Sequence, residues 1–116
     1  MAIVLVPPSD RFDAVALEGS STWPLATIYS CPRCGAEVSF SKDDLFFRSR
    51  LAVSNLDQPV ASEFDRFAIQ SAIDGNGFLD WACPTCSLPA RVYVRTWVGG
   101  RHGDAGTDLV AVLETG

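Results

Sequence analysis

Every cysteine in this 116-residue chain belongs to one of two copies of a four-residue motif, Cys31-Pro32-Arg33-Cys34 and Cys83-Pro84-Thr85-Cys86. A C-x-x-C turn bends the backbone until its two sulfurs converge on one point. Two such turns complete a tetrahedral thiolate shell, at metal–sulfur distances of about 2.3 Å for zinc, with no position left open for a substrate. The pattern implies a structural zinc centre made of Cys31, Cys34, Cys83 and Cys86 that fastens distant parts of the chain together.

Other uses of four cysteines fit less well. Two short C-x-x-C loops make a poor disulfide framework, and residues 1–6, though apolar, lack a basic flank and stop at Pro7-Pro8 too soon for a secretory leader. A reducing, cytoplasmic setting is expected from this. A dithiol redox centre needs its nucleophilic cysteine at a helix N-terminus, whereas Ala36-Glu37-Val38-Ser39-Phe40 after Cys34 reads as a strand. The same all-thiolate shell also accepts iron, which would make the chain a rubredoxin-like electron carrier.

At this length a single domain spanning residues 1–116 is expected. Hydrophobic residues at 47% and charged residues at 20% suffice for a packed core. No run approaches the roughly 18 apolar residues of a membrane-spanning helix. Nine basic and fourteen acidic side chains give a formal net charge of -5, which works against long-range attraction to nucleic-acid phosphates or anionic lipid.

Hydrophobic patterning predicts strands over residues 1–6, 12–18, 25–29, 36–40 and 78–82, and a C-terminal hairpin pairing 91–98 with 107–114. Between the knuckles it predicts two helices. One opens at Ser41 as N-cap and continues to Leu51. The other covers 62–73, its stripe of Phe64, Phe67, Ala68, Ser71 and Ala72 widened by Ile69 and Ile73, with Gly75-Asn76-Gly77 as its stop and 55–59 as a breaker before it. In the hairpin, Leu109, Ala111 and Leu113 are expected to alternate with Asp108, Val110 and Val112.

The knuckles resemble those of the zinc-ribbon superfamily. Cys31, Cys34 and Gly35 match its first C-P-x-C-G turn, and Cys83 and Cys86 match the second. Ser87 departs from the pattern where glycine is common. So does the spacer, with 48 residues (35–82) where compact ribbons place about 15–20. The resemblance implies an α+β fold: a small antiparallel sheet with a ribbon-like four-cysteine site and the two helices inserted between the knuckles.

Catalytic signatures are missing. His102, the one histidine, sits in the glycine-rich loop 99–106 without a nucleophile elbow anywhere in the chain, and that loop lacks the G-K-[ST] ending of a phosphate loop. A closed thiolate shell offers no Lewis-acid position either, so a non-enzymatic role is expected. On strand 91–98, alternation places Arg91, Tyr93, Arg95 and Trp97 on one face, a composition typical of interface hot spots, although arginine stems laid over rings also cover half-buried sheets. Glu63 and Asp65, with Asp74 and Asp80, form an acidic set relieved only by Arg66. These features point to a protein-binding module, one concrete form being a small acidic inhibitor or immunity protein that neutralises a basic toxin. A nucleic-acid-binding or transcription-associated ribbon using Arg91, Arg95 and Arg101 is the alternative.

Overall fold

The computed structural model describes residues 2–12, 26–41, 56–75, 77–98 and 105–116. Its strands are β1 (Ile3–Val6), β2 (Ala26–Ser30), β3 (Glu37–Ser41), β4 (Gly77–Ala82), β5 (Pro89–Val98) and β6 (Ala105–Thr115). Helix α1 (Gln58–Gln70) lies between β3 and β4, and a short 3-10 turn, Pro8–Asp10, follows β1. β1, β6, β5 and β4 form an antiparallel sheet in that order, while β2 and β3 pair in a sheet of their own.

The two faces of the four-stranded sheet bury different partners, because side chains alternate across a strand. On one face Val6, Leu79, Trp81, Ala90, Val92, Val94 and Val112 pack with Phe12, Tyr29 and Phe40, which come from the β2–β3 side. Trp81 anchors this layer, its ring 4.8 Å from Tyr29 and 4.9 Å from Phe40 in tilted and edge-on contacts that suit the ring quadrupoles. On the other face Phe64 of α1 packs on Tyr93 and Leu113, joined by Ile3, Val60, Phe67, Ala68, Ile73 and Phe78. The sheet is thus a partition between a hairpin layer and a helix layer, an α+β arrangement with one helix among the described residues.

Helix α1 begins earlier than the pattern suggests. Pro59 stands in its first turn, where a missing N–H costs nothing, and the Asp57 carbonyl accepts from the Val60 and Ala61 amides at 3.0 Å. Its buried stripe is Val60, Phe64, Phe67 and Ala68, an i, i+4, i+7, i+8 series. Ile69 lies outside that series and is 81% exposed, so it does not widen the stripe. Nor does the glycine cluster stop the helix. Ala72 takes φ 52, while the Ile73 amide reaches back to the Ala68 carbonyl at 3.1 Å and the Ala72 amide to Ile69 at 3.3 Å, the two bonds of a Schellman ending. Gly75 serves packing instead: a Cβ there would meet the Val94 carbonyl oxygen at 2.9 Å.

A further expectation changes. The hairpin β5–β6 contains a bulge, since Tyr93 pairs with Ala111 but Val94 pairs with Leu109, leaving Val110 extra. One extra residue reverses the alternation beyond it. Leu109 therefore packs on the Trp81 face, away from Leu113, and Val110 joins the helix cluster. Ser41, the expected N-cap of the first helix, is the last residue of strand β3. The rest of that expected helix, 42–51, lies outside the described residues, as do 13–18 of the expected second strand, whose Phe12 makes one bridge to Tyr29.

Candidate metal centre

Each C-P-x-C motif forms the tip of a hairpin, the first between β2 and β3 and the second between β4 and β5. The two tips share one hydrogen-bond plan. The Cys31 amide donates to the Ala36 carbonyl at 2.9 Å and the Gly35 amide to the Cys31 carbonyl at 2.9 Å; the Cys83 amide donates to Leu88 at 2.9 Å and the Ser87 amide to Cys83 at 2.8 Å. The residue after each second cysteine is left-handed, with φ 78 at Gly35 and φ 65 at Ser87. Ser87 thus performs the turn that glycine performs in the first knuckle, at the steric cost that an L side chain incurs there.

The hairpins bring the four sulfurs together, with all Sγ atoms within 4.8 Å of one another. Cys31 Sγ lies 3.6 Å from Cys86 Sγ, and Cys34 Sγ lies 3.6 Å from Cys83 Sγ. A tetrahedron with sulfurs about 2.3 Å from its centre has edges of roughly 3.8 Å, so these separations suit a zinc-sized ion. They are far beyond the ~2.05 Å of a disulfide. Cys31 and Cys83 are buried against Leu88, with Ala36 and Cys86 packed beside them, while Cys34 faces solvent.

The electrostatics prepare the cluster for an anion-rich role. Burial works against the Cys83 thiolate, yet amides of Cys86 and Thr85 and the Cys34 thiol donate to it, and its pKa is lowered to about 6. Cys34 accepts from the Ala36 amide, but partial desolvation and the neighbouring sulfurs prevail and push it up to about 12. Burial also raises Cys86, against an amide bond from Leu88. Without metal, one thiolate is therefore held by its neighbours' protons. A divalent cation bound there would replace those protons and let all four sulfurs ionise. The donor set fits zinc, and tetrahedral S₄ coordination fits iron as well.

No family model, curated protein or solved structure matches this chain. The likeness to a zinc ribbon rests on the two knuckles and their convergence, across a segment longer than compact ribbons place there.

The expected partner-binding face looks different in the fold. Arg91 and Tyr93 are not open surface: helix α1 covers them, leaving Arg91 1% exposed and Tyr93 9%. The Arg91 guanidinium grips Asp80 with two bonds, Nε–Oδ1 at 2.5 Å and Nη2–Oδ2 at 2.9 Å, and Nη1 reaches Asp65 of α1 at 2.5 Å and the Tyr93 hydroxyl at 2.9 Å. It also lies over the Phe78 ring, 4.0 Å from its centroid. Arg91 is thus a clasp between helix and sheet, and Asp80, grouped above with the acidic set, is its buried counter-ion. Arg95 is exposed and ion-paired with Asp74, and Glu63 pairs with Arg66 at 2.9 Å. The side chain of Trp97, and residues 101 and 102, lie outside the described set.

A second buried ionic group escaped the sequence reading. Glu114, 3% exposed, accepts from Arg11 Nε at 2.7 Å and Nη2 at 3.0 Å, and from the Tyr29 hydroxyl. Its signal was an acid directly after the apolar run Leu109–Leu113, obscured because the bulge hid which face it joins. Burial, reinforced by the bond to Glu114, holds the Tyr29 phenol well above its ordinary pKa.

Proposed function

We propose that this chain is a non-enzymatic, zinc-stabilised protein-binding module. The observation that carries the reading is the convergence of four cysteines, all within 4.8 Å, from two hairpin tips on different sheets. A shell of four thiolates holds the ion closed to substrate, so the metal's work is to fasten the β2–β3 hairpin to the end of β4 and β5. Net charge of -5 suits a basic partner, whose capture it accelerates, and an inhibitor or immunity protein directed at a basic toxin is the concrete form of that idea.

The nucleic-acid alternative loses its main support, since Arg91 is buried and doubly paired and Arg95 has an acidic partner. The iron alternative keeps the support of the S₄ geometry. Metal analysis of protein produced with zinc and iron both present tests the metal: one zinc per chain with no visible absorbance is expected, and red protein carrying iron would transfer the assignment to electron transfer. Affinity capture from native-host extract tests the partner. A basic protein whose association rate falls with ionic strength and with charge reversal at the exposed carboxylates Asp10 and Glu37 is expected; recovery of nucleic acid in its place would refute the reading.

A further inference from the structure

Strand β1 is an edge of the four-stranded sheet, and its exposed side chains are apolar: Val4 is 44% exposed and Leu5 48%. Ile3–Val6 itself contains no charged residue, whereas edges that must stay single are normally protected by lysine or another charge. The strand's polar groups are oriented unambiguously. The Ala2 carbonyl accepts from the Gly116 amide on the β6 side at 2.8 Å, so Ala2, Val4 and Val6 direct their amides and carbonyls toward β6, and Ile3 and Leu5 direct theirs outward. Among the described residues those four outward groups meet no partner.

Beside the edge lies a cavity of about 130 Å³ between β1 and α1, lined by Ile3, Phe67, Glu63, Arg66 and Gln70. Its two charges neutralise each other, because Glu63 and Arg66 are paired. A molecule of net charge -5 can therefore approach a like molecule here without local repulsion.

We infer that β1 is the contact for a second copy of this chain, the two edges pairing antiparallel about a two-fold axis through Val4. In that register Ile3 faces Leu5 of the second copy and Leu5 faces its Ile3, and both pairs exchange two main-chain bonds, using all four outward groups of each strand. Register and side chains agree. Leu5 lies on the helix face of the sheet with Ile3 and Leu113. Across the axis it stands next to the other copy's Ile3, at the mouth of the cavity floored by Phe67, and Val4 meets Val4 on the opposite face. The sequence Ile3-Val4-Leu5 is self-complementary in shape, hydrogen bonding and charge, and joining two four-stranded sheets removes the exposed edge from both.

The test is sedimentation equilibrium of the metal-loaded full chain from about 1 μM to 1 mM, a range that brackets a contact of this small size. A mass rising from 12.5 kDa toward twice that value with concentration is expected. Leu5→Lys should raise the dissociation constant at least ~10-fold. Leu5→Pro should do the same while keeping the fold, since the amide it removes points away from β6. Ile69→Lys, on the exposed side of the helix, should change nothing. A monomer throughout the range, or a dimer indifferent to both Leu5 substitutions in variants whose circular dichroism matches the parent, would overturn the inference.

Discussion

Replacing Arg91 by methionine removes the cation that holds α1 to the sheet and leaves Asp80 buried, its side chain 8% exposed, with neither of its two guanidinium bonds. Breaking a buried pair from one side costs about 3–5 kcal/mol, because the remaining charge must be desolvated alone. The contact over Phe78 at 4.0 Å is lost as well, a smaller contribution that methionine sulfur partly replaces. For a domain of this size each kcal/mol moves Tm by about 3–5 °C, so a fall of roughly 10–20 °C is expected for metal-loaded protein. The double variant Arg91→Met/Asp80→Leu leaves only Asp65, whose side chain is 55% exposed and can be hydrated, and the Tyr93 hydroxyl without their partner. It should lie within about 1–2 kcal/mol of the parent, recovering about 2–3 kcal/mol of what the single variant loses. Urea denaturation followed by circular dichroism reads all three proteins. A single variant costing under about 1 kcal/mol, or a double variant no better than the single, would show that Arg91 is not a buried clasp.

The left-handed knuckle residues offer a matched pair: Ser87→Gly should raise stability by about 0.5–1 kcal/mol and Gly35→Ala lower it similarly, read as Tm shifts of opposite sign. A Cβ at Gly35 meets nothing within 4 Å, so the cost there is backbone strain alone. Because Cys34 and Cys86 titrate above the ordinary thiol value in metal-free protein, zinc binding near pH 7 should expel at least ~2 protons, visible in calorimetry across buffers of different ionisation enthalpy, and affinity should fall as pH drops. Tyr29, whose folded pKa is raised, contributes stability that is complete below its unfolded value of about 10 and is lost as pH climbs beyond it; Tyr29→Phe should flatten that alkaline decline in stability measurements.

The four-cysteine cluster was legible because its chemistry is written in local spelling: each C-P-x-C fixes its own turn, and two half-sites have one economical way to meet. Strand existence was equally legible from alternation, and β4, β5 and β6 fall within two residues of expectation. What escaped was whatever depends on layers. Arg91 and Tyr93 read as an interface because a strand pattern tells two faces apart without telling which is covered, and here both are. Val110 is one unpaired residue with no sequence signal, yet it redirects Leu109 and hides the face of Glu114. Ala72 ended the helix three residues before the glycine at 75 because tertiary packing outweighed the residue preference for that turn.

The two nearest sulfur pairs each join residues 55 or 49 positions apart, Cys31 with Cys86 and Cys34 with Cys83. During synthesis the first hairpin therefore emerges with two unmated thiols and waits while the intervening stretch is translated, about 2–10 s at ordinary elongation rates. Half a coordination shell is a weak trap for a metal ion and leaves two thiols open to oxidants, so on the metal-centre reading a newly made chain would complete its site only once residue 86 has left the ribosome.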